Sequence, residues 1–140
     1  MKKKILLIGS GGREHALAWK IRQSPLCGEL FIAPGNAGTA TLGENVSIDA
    51  KDIASIVSFA KDKNIDLVVV APDDPLALGL VDALTVAGIR AWGPTASAAQ
   101  LESSKAFAKE VMVSAGIPTA RYETFSDFES ASAYCDGLPA

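Results

Sequence analysis

The stretch ILLIGSGGREHALAW, residues 5–19, decides the fold. It opens with the apolar run Ile5–Ile8, which is typical of a strand buried on both faces. A glycine cluster follows at once, and the apolar residues beyond it predict a helix over Arg13–Ser24. A buried strand that turns through glycines into a helix is how a dinucleotide-binding turn begins, so the question is which anion this turn holds.

The same alternation of strand and helix patterns continues beyond this stretch. Further strands are predicted at Leu30–Ala33, Val46–Ile48, Leu67–Val70 and Ala91–Trp92. Further helices are predicted from Asp49 or Lys51-Asp52 through Ala60, and from Pro75 to about Ala87. Alternation at this pitch predicts an α/β fold with a parallel, doubly wound sheet and helices on both faces.

The pattern changes after about Thr95. Helices are predicted at Ala96–Gln100, Ser103–Ala115 and Asp127–Tyr134, and a strand at Arg121–Phe125. We therefore expect one domain over residues 1–102 and the beginning of a second over 103–140. Residues 136–140 read as a turn with no strand after it, which suggests a fragment of a longer protein.

Composition narrows the class of protein. Of 140 residues, 49% are apolar and 21% are charged, which is typical of a globular protein. The net charge of −3 does not indicate a surface that binds nucleic acid. Two distant cysteines, Cys27 and Cys135, fit neither a metal motif nor a disulfide framework, so a reducing cytoplasm is expected. No apolar run approaches the length of a membrane span. Trp19 and Trp92 are interpreted as core aromatics.

Three predicted strands end in loops suited to a ligand. These loops are Gly9–Glu14, Pro34–Gly38 and Pro72–Pro75. Ligands of open parallel sheets bind beyond the carboxyl ends of the strands. A glycine turn at the start of a helix exposes backbone N–H groups that suit a phosphate, and the Arg13 guanidinium adds two parallel donors.

The dinucleotide interpretation fits this loop poorly. Gly9 and Gly11 match the G-x-G-x-x-G/A pattern, but Glu14 stands where a small residue belongs, and Ala33-Pro34 offers no carboxylate for a ribose diol. A smaller phosphate ester is favoured. Three alternatives stay open: a nicotinamide-dependent oxidoreductase domain, a non-catalytic flavodoxin-like binding module, and glycines that only form a tight turn.

Five blocks in order along the chain resemble the phosphoribosylamine–glycine ligase family: GSGGREHALAWK (9–20), APGNAGTA (33–40), PDDPLALGLVDAL (72–84), GPTASAAQLESSKAFAK (93–109) and GIPTARYETF (116–125). The resemblance implies a Rossmann-like domain followed by the start of an ATP-grasp region. It also implies an ATP-dependent ligase that joins glycine to phosphoribosylamine in de novo purine (IMP) biosynthesis, releasing ADP and phosphate. Its implied partners are phosphoribosylamine, glycine and ATP with Mg²⁺ or Mn²⁺, whose ligands lie mostly downstream, and no nucleic acid or membrane.

The resemblance also implies site residues. Those facing the sugar phosphate are Gly9, Gly11, Gly12, Arg13, Glu14, Pro34, Gly35, Asn36, Gly38, Asp73 and Asp74. Asp73 stands where the family usually has Glu, which shortens the reach of the carboxylate by one methylene. Lys105 matches a lysine that reaches ATP phosphate. No catalytic nucleophile and no metal ligand is predicted, and His15, the aspartates and Lys105 could each serve only packing, capping or solvation.

Overall fold

A five-stranded parallel sheet organises the computed structural model, which describes residues 1–138. The strands are β1 (Lys3–Gly9), β2 (Cys27–Pro34), β3 (Glu44–Asn45), β4 (Leu67–Val70) and β5 (Ala91–Trp92). The α-helices are α1 (Gly12–Arg22), α2 (Ile53–Asp62), α3 (Asp73–Ala77), α4 (Leu80–Val86), α5 (Ala96–Ser103), α6 (Lys105–Ser114) and α7 (Phe128–Asp136), with a 3₁₀ turn at Thr39–Thr41. The end of the expected C-terminal turn, Pro139-Ala140, lies outside the described residues.

The strand order β3-β2-β1-β4-β5 places the first strand at the centre. Gly9 pairs with Pro34, and Ile8 pairs with Val70, so β1, β2 and β4 finish side by side. All four pairings are parallel. The predicted parallel α/β fold is therefore confirmed, and the register brings the three loops to one edge of the sheet.

The core has one layer on each side of the sheet, as the continuous apolar strands require. Leu6 and Ile8 belong to one buried cluster, which also includes residues of α2 and α4. Leu7 points the other way and joins a second cluster that contains Ala18 of α1. Successive side chains of a strand alternate between faces, so helices cover both faces of β1.

Two predicted elements differ from the structure. Strand β3 is Glu44–Asn45, not Val46–Ile48; only the Val46 N–H continues the ladder, donating to the Ile32 carbonyl at 2.8 Å. The helix expected from Pro75 begins two residues earlier at Asp73 and is interrupted at Gly79, whose φ of 88° lies in the left-handed region. A residue with that dihedral angle cannot continue a right-handed helix.

Two further predictions are wrong: the burial of the two tryptophans and the strand at residues 121–125. Trp19 and Trp92 keep 57% and 61% of their surface exposed, because one lies on the outer side of α1 and the other on the edge strand β5. Residues 121–125 form no strand, since alternation produces a strand only where a neighbouring strand offers hydrogen bonds, and no described residue pairs with them. None of the helices within residues 1–138 is long and apolar enough to cross a membrane.

The chain forms two compact units, Met1–Ser103 and Ser104–Ala140. In the second unit the Ser104 hydroxyl accepts a hydrogen bond from the Phe107 N–H at 3.3 Å and caps α6. Lys109 Nζ donates to Thr119 Oγ1 at 2.6 Å and fixes the segment that follows the helix. Asp127 caps α7, and its side chain accepts a hydrogen bond from the Ser130 N–H.

Candidate functional site

The loops that follow β1 and β2 are joined to each other by hydrogen bonds. The Gly35 N–H donates to the Gly9 carbonyl at 3.1 Å, and Asn36 Nδ2 donates to the Ser10 carbonyl at 2.8 Å. The third loop also approaches Gly9, because a Cβ added there would lie 2.9 Å from Cγ of Pro72. The structure thus brings together the three loops that the sequence singles out.

A cleft of about 320 Å³ opens beside the first loop. It lies between that loop, the turn before α2 and the beginning of α3. Its lining residues are Gly9, Ser10, Gly11, Arg13, Glu14, Ala50, Lys51, Pro72, Asp73, Asp74 and Pro75. A cleft of this size at the carboxyl ends of parallel strands is suited to a small ligand.

Gly9 lets the first and third loops meet. Its φ of 125° lies in a region that side chains rarely adopt, and a Cβ added there would lie 2.5 Å from Cγ of Glu14. Only glycine combines this backbone conformation with such close neighbours. The first glycine of the loop is therefore explained by packing.

Glu14 caps the helix that it belongs to. Its side chain is buried, and Oε2 accepts a hydrogen bond from the Gly11 N–H at 2.7 Å. This is the carboxylate half of a capping box, because Gly11 has no side chain to complete it. One amide that was expected to meet a phosphate is therefore already bound to a carboxylate of the chain.

The second loop is held by hydrogen bonds within itself and to β3. Asn36 Oδ1 accepts hydrogen bonds from the N–H groups of Gly38 and Thr39 at 2.8 and 2.9 Å. Asn45 Nδ2 donates to the Asn36 carbonyl at 2.7 Å, which ties the loop to β3. Gly38 lies against His15, since a Cβ there would be 2.9 Å from the ring atom Cε1. His15 therefore lies beside the second loop, and its side chain remains exposed.

Charges of both signs surround the cleft. The Arg13 side chain is 68% exposed, and its Nε lies 3.8 Å from Glu14 Oε1. Lys51 Nζ lies 2.5 Å from Asp74 Oδ2 across the cleft. The hydrogen bond and the charge of Asp74 raise the pKa of the Lys51 ammonium, so Lys51 remains a cation at neutral pH.

The predicted residues divide into three groups. Asp73, Asp74 and the first loop except Gly12 line the cleft, whereas the second loop supports it through the bonds described above. Lys105 is the exposed first residue of α6 and belongs to the other unit. Within residues 1–138, no three His, Cys, Asp or Glu side chains are placed to hold a metal ion.

Lys51 is the charged lining residue that the sequence interpretation missed. Its only local signal is its place directly before Asp52, the cap of α2. Its partner Asp74 belongs to a different loop, so the ion pair between them could not be predicted from the sequence.

The family model described as "Phosphoribosylglycinamide synthetase, N domain" matches residues 3–102. Over 133 residues, 53% are identical to the phosphoribosylamine–glycine ligase of Rhodopirellula baltica, covering 95% of this chain and 30% of that protein. The ligase of Haemophilus influenzae is 54% identical over 132 residues, covering 93% and 31%. The chain therefore spans about a third of the length of the curated relatives it matches.

Solved structures share the fold. A phosphoribosylamine–glycine ligase from Thermotoga maritima matches with a TM-score of 0.61 and 30% identity, covering 86% of this chain and 27% of that one. The biotin carboxylase domain of the Hydrogenobacter thermophilus 2-oxoglutarate carboxylase, solved with MgADP and bicarbonate, matches with a TM-score of 0.76 at 17% identity, covering 100% and 34%. At that identity the second match concerns the fold alone.

Proposed function

This chain belongs to the phosphoribosylglycinamide synthetase N-domain family, and from that premise we propose that it serves an ATP-dependent ligase that joins glycine to 5-phosphoribosylamine. The product is glycinamide ribonucleotide, an intermediate on the route to IMP, and ADP and phosphate are released. The observation that carries the proposal is the match over residues 3–102, which includes all three loops of the cleft.

We propose the cleft as the phosphoribosylamine site. Arg13 is the main candidate to bind the phosphate, because an exposed guanidinium at the mouth of the cleft can donate two parallel hydrogen bonds. The first N–H groups of α1 at Gly12 and Arg13 have no partners inside the helix and add to this site. Gly9 and Gly11 shape the first loop.

The remaining predicted residues have supporting roles in this proposal. Asp73 and Asp74 bind hydroxyl or amine donors from the far side of the cleft, and Asp74 also orients Lys51. Pro34, Gly35, Asn36 and Gly38 hold the first loop in place. The chain contributes binding and orientation, which raise the rate by holding the amine where its partner arrives.

ATP supplies the chemical activation of the glycine carboxylate. Lys105 is proposed to meet an ATP phosphate, for which its exposed ammonium is a suitable point charge. The free thiols of Cys27 and Cys135 support the cytoplasm as the proposed compartment.

The two competing functions are not favoured. A nicotinamide dinucleotide needs room between loop and helix for its pyrophosphate, and the Glu14 carboxylate occupies that space. A flavodoxin-like module has no support from the family match. The family therefore outweighs the glycine pattern that the loop shares with dinucleotide-binding proteins.

A segment replacement tests the function. Residues 1–138 of this chain replace the corresponding amino-terminal segment of the Haemophilus influenzae ligase, to which the chain is 54% identical over 132 residues. Ribose 5-phosphate and ammonia generate the amine in solution, and formation of glycinamide ribonucleotide and ADP is measured with glycine and ATP. We expect activity within about tenfold of the parent ligase, because the cleft residues come from one continuous segment.

The parent ligase and a chimera carrying Lys105→Ala serve as controls. A folded chimera that hydrolyses ATP but forms no product would contradict the proposed substrate. A chimera that lost only the sugar-phosphate site would instead show a raised KM for the amine and an unchanged KM for ATP.

A further inference from the structure

One oxygen of Glu14 is left without a hydrogen bond inside the first loop. The side chain is about 95% buried, and Oε2 is satisfied by the Gly11 N–H. Oε1 has no hydrogen-bond partner among residues 1–138, because the Arg13 Nε, which is its ion-pair partner at 3.8 Å, is too distant to donate a hydrogen bond. A buried carboxylate oxygen without a donor is costly, so its presence beside a cleft needs an explanation.

The free oxygen restricts what can bind next to it. Glu14 lines the cleft together with Arg13 and Ser10. A phosphate at this position would place a second anion beside a buried carboxylate, where repulsion is poorly screened. A hydroxyl or amine at the same position would donate the missing hydrogen bond, so the buried oxygen selects for a donor.

We propose that Glu14 Oε1 is a specificity-determining acceptor that binds a donor group of the sugar, a ribose hydroxyl or the C1 amine, while the phosphate lies outward at Arg13. This inference rests on the proposed function and adds an orientation to it. The sugar enters with its donor groups against the loop, and its anionic end stays near the exposed guanidinium.

Two neighbouring residues of the first loop therefore have different roles: the buried Glu14 accepts hydrogen bonds, and the exposed Arg13 binds the phosphate. Oε2 accepts the Gly11 N–H at the start of α1, so its negative charge offsets part of the positive end of the helix dipole and leaves the N–H groups of Gly12 and Arg13 unpaired by this carboxylate. Arg13 is more than ten times as exposed as Glu14, and its guanidinium can follow the phosphate. An exposed cation and a buried acceptor next to each other discriminate a sugar phosphate from inorganic phosphate.

Glu14→Gln tests this orientation without removing the cap. The Gly11 N–H requires an oxygen, so the glutamine must turn its NH₂ group to the position of Oε1, which changes the acceptor into a donor. Binding of ribose 5-phosphate to the 140-residue chain is measured by calorimetry, and KM for the amine is measured in the chimera. We expect a loss of about 10- to 100-fold in one or both, with binding of inorganic phosphate unchanged within about twofold.

Each outcome has a distinct meaning. A loss for ribose 5-phosphate assigns the donor as a ribose hydroxyl, and a loss confined to the amine in the chimera assigns it as the C1 amine. Unchanged values for both, or tighter binding of inorganic phosphate to the variant, would overturn the inference. If the unsubstituted chain and chimera bind no sugar phosphate at all, the proposed function itself fails, and this orientation fails with it.

Glu29→Gln is the matched control. Glu29 is an exposed carboxylate at 3.0 Å from Lys4 Nζ, in β2 and away from the cleft. The Glu29→Gln substitution should leave both the affinity for ribose 5-phosphate and the KM for the amine unchanged. Urea unfolding of each variant separates a local loss of binding from a loss of fold, because the retained oxygen at Gly11 should keep Glu14→Gln close to the parent stability.

Discussion

Adjacent residues of the first loop have opposite surroundings. Arg13 is exposed at the mouth of the cleft, whereas Glu14 is buried beneath it. A guanidinium gains little by packing in such a position, so a ligand is the simplest explanation for Arg13. In Glu14, by contrast, Oε2 accepts a hydrogen bond from the Gly11 N–H, and Oε1 has no hydrogen-bond partner among the described residues. The phosphate contact is therefore best tested at Arg13.

Replacing Arg13 should weaken use of the sugar phosphate. In the chimera, we expect Arg13→Ala to lower kcat/KM for phosphoribosylamine, because a charge-assisted hydrogen bond to phosphate is lost. The decrease should correspond to a loss of about 1–3 kcal/mol of transition-state stabilisation. Arg90→Ala is the control, since Arg90 is exposed just before β5, at the opposite edge of the sheet. Unchanged kinetics for Arg13→Ala would remove this residue from the site.

Replacing Gly9 should damage the fold. The substitution Gly9→Ala combines an unfavourable φ of 125° with a Cβ only 2.5 Å from Cγ of Glu14. We expect the free energy of unfolding to fall by about 2–4 kcal/mol, from backbone strain and overpacking together. Gly12→Ala is the comparison, because no atom lies within 4 Å of the added Cβ. Equal stability of the two variants in urea would refute this packing argument.

At the scale of elements, strands β1 and β4 are joined by more than their ladder. Asp66, just before β4, accepts hydrogen bonds from Lys3 Nζ at 2.7 Å and from the Lys4 N–H at 2.8 Å. These bonds, with that to Lys3 the larger cause, lower the pKa of the Asp66 carboxyl below its ordinary value. Hydrogen bonds to the backbone N–H groups of Ser55 and Ser130 lower the pKa values of Asp52 and Asp127 in the same way.

Asp66 should therefore make stability depend on pH. A carboxyl with a lowered pKa in the folded state stabilises the fold above its unfolded pKa of about 4, and this contribution is lost as pH falls through the folded value. We expect Asp66→Asn to be less stable than the parent chain at pH 7, with the difference shrinking below about pH 4. Urea unfolding across this range, with Asp62→Asn as the charge control, measures it. A constant difference would contradict the assignment.

At the scale of the whole molecule, the proposed sites divide between the two compact units. The cleft and both buried clusters of the sheet lie within Met1–Ser103. Lys105 lies in the second unit, Ser104–Ala140. In the proposed function, sugar-phosphate binding belongs to the first unit and ATP binding begins in the second.

A chain of residues 1–103 should fold by itself. Both core clusters are complete within it, so little buried apolar surface is lost by removing the rest. We expect one cooperative unfolding transition in urea and the same affinity for ribose 5-phosphate as the 140-residue chain. A non-cooperative transition, or a loss of binding in a folded chain, would argue against the proposed boundary at residue 102.

Local patterns in the sequence determined the sheet and its ligand-bearing edge. Strand β4 is predicted at its exact bounds, and β1 and α1 within a residue or two, because apolar periodicity and glycine turns are encoded within one element. Parallel pairing then requires the strand ends to meet, so the three loops could be placed together from sequence. The five blocks also sufficed to identify the family.

Tertiary structure alone decided how the site is built. Glu14 binds Gly11, Lys51 faces Asp74 from another loop, and Trp19 and Trp92 lie outside the core. None of these follows from residue type, because burial and partners depend on which surfaces the folded elements bring together. The sequence by itself determined which three loops reach one edge of the sheet; packing in three dimensions decided which residues line the cleft and which of them remain free to bind.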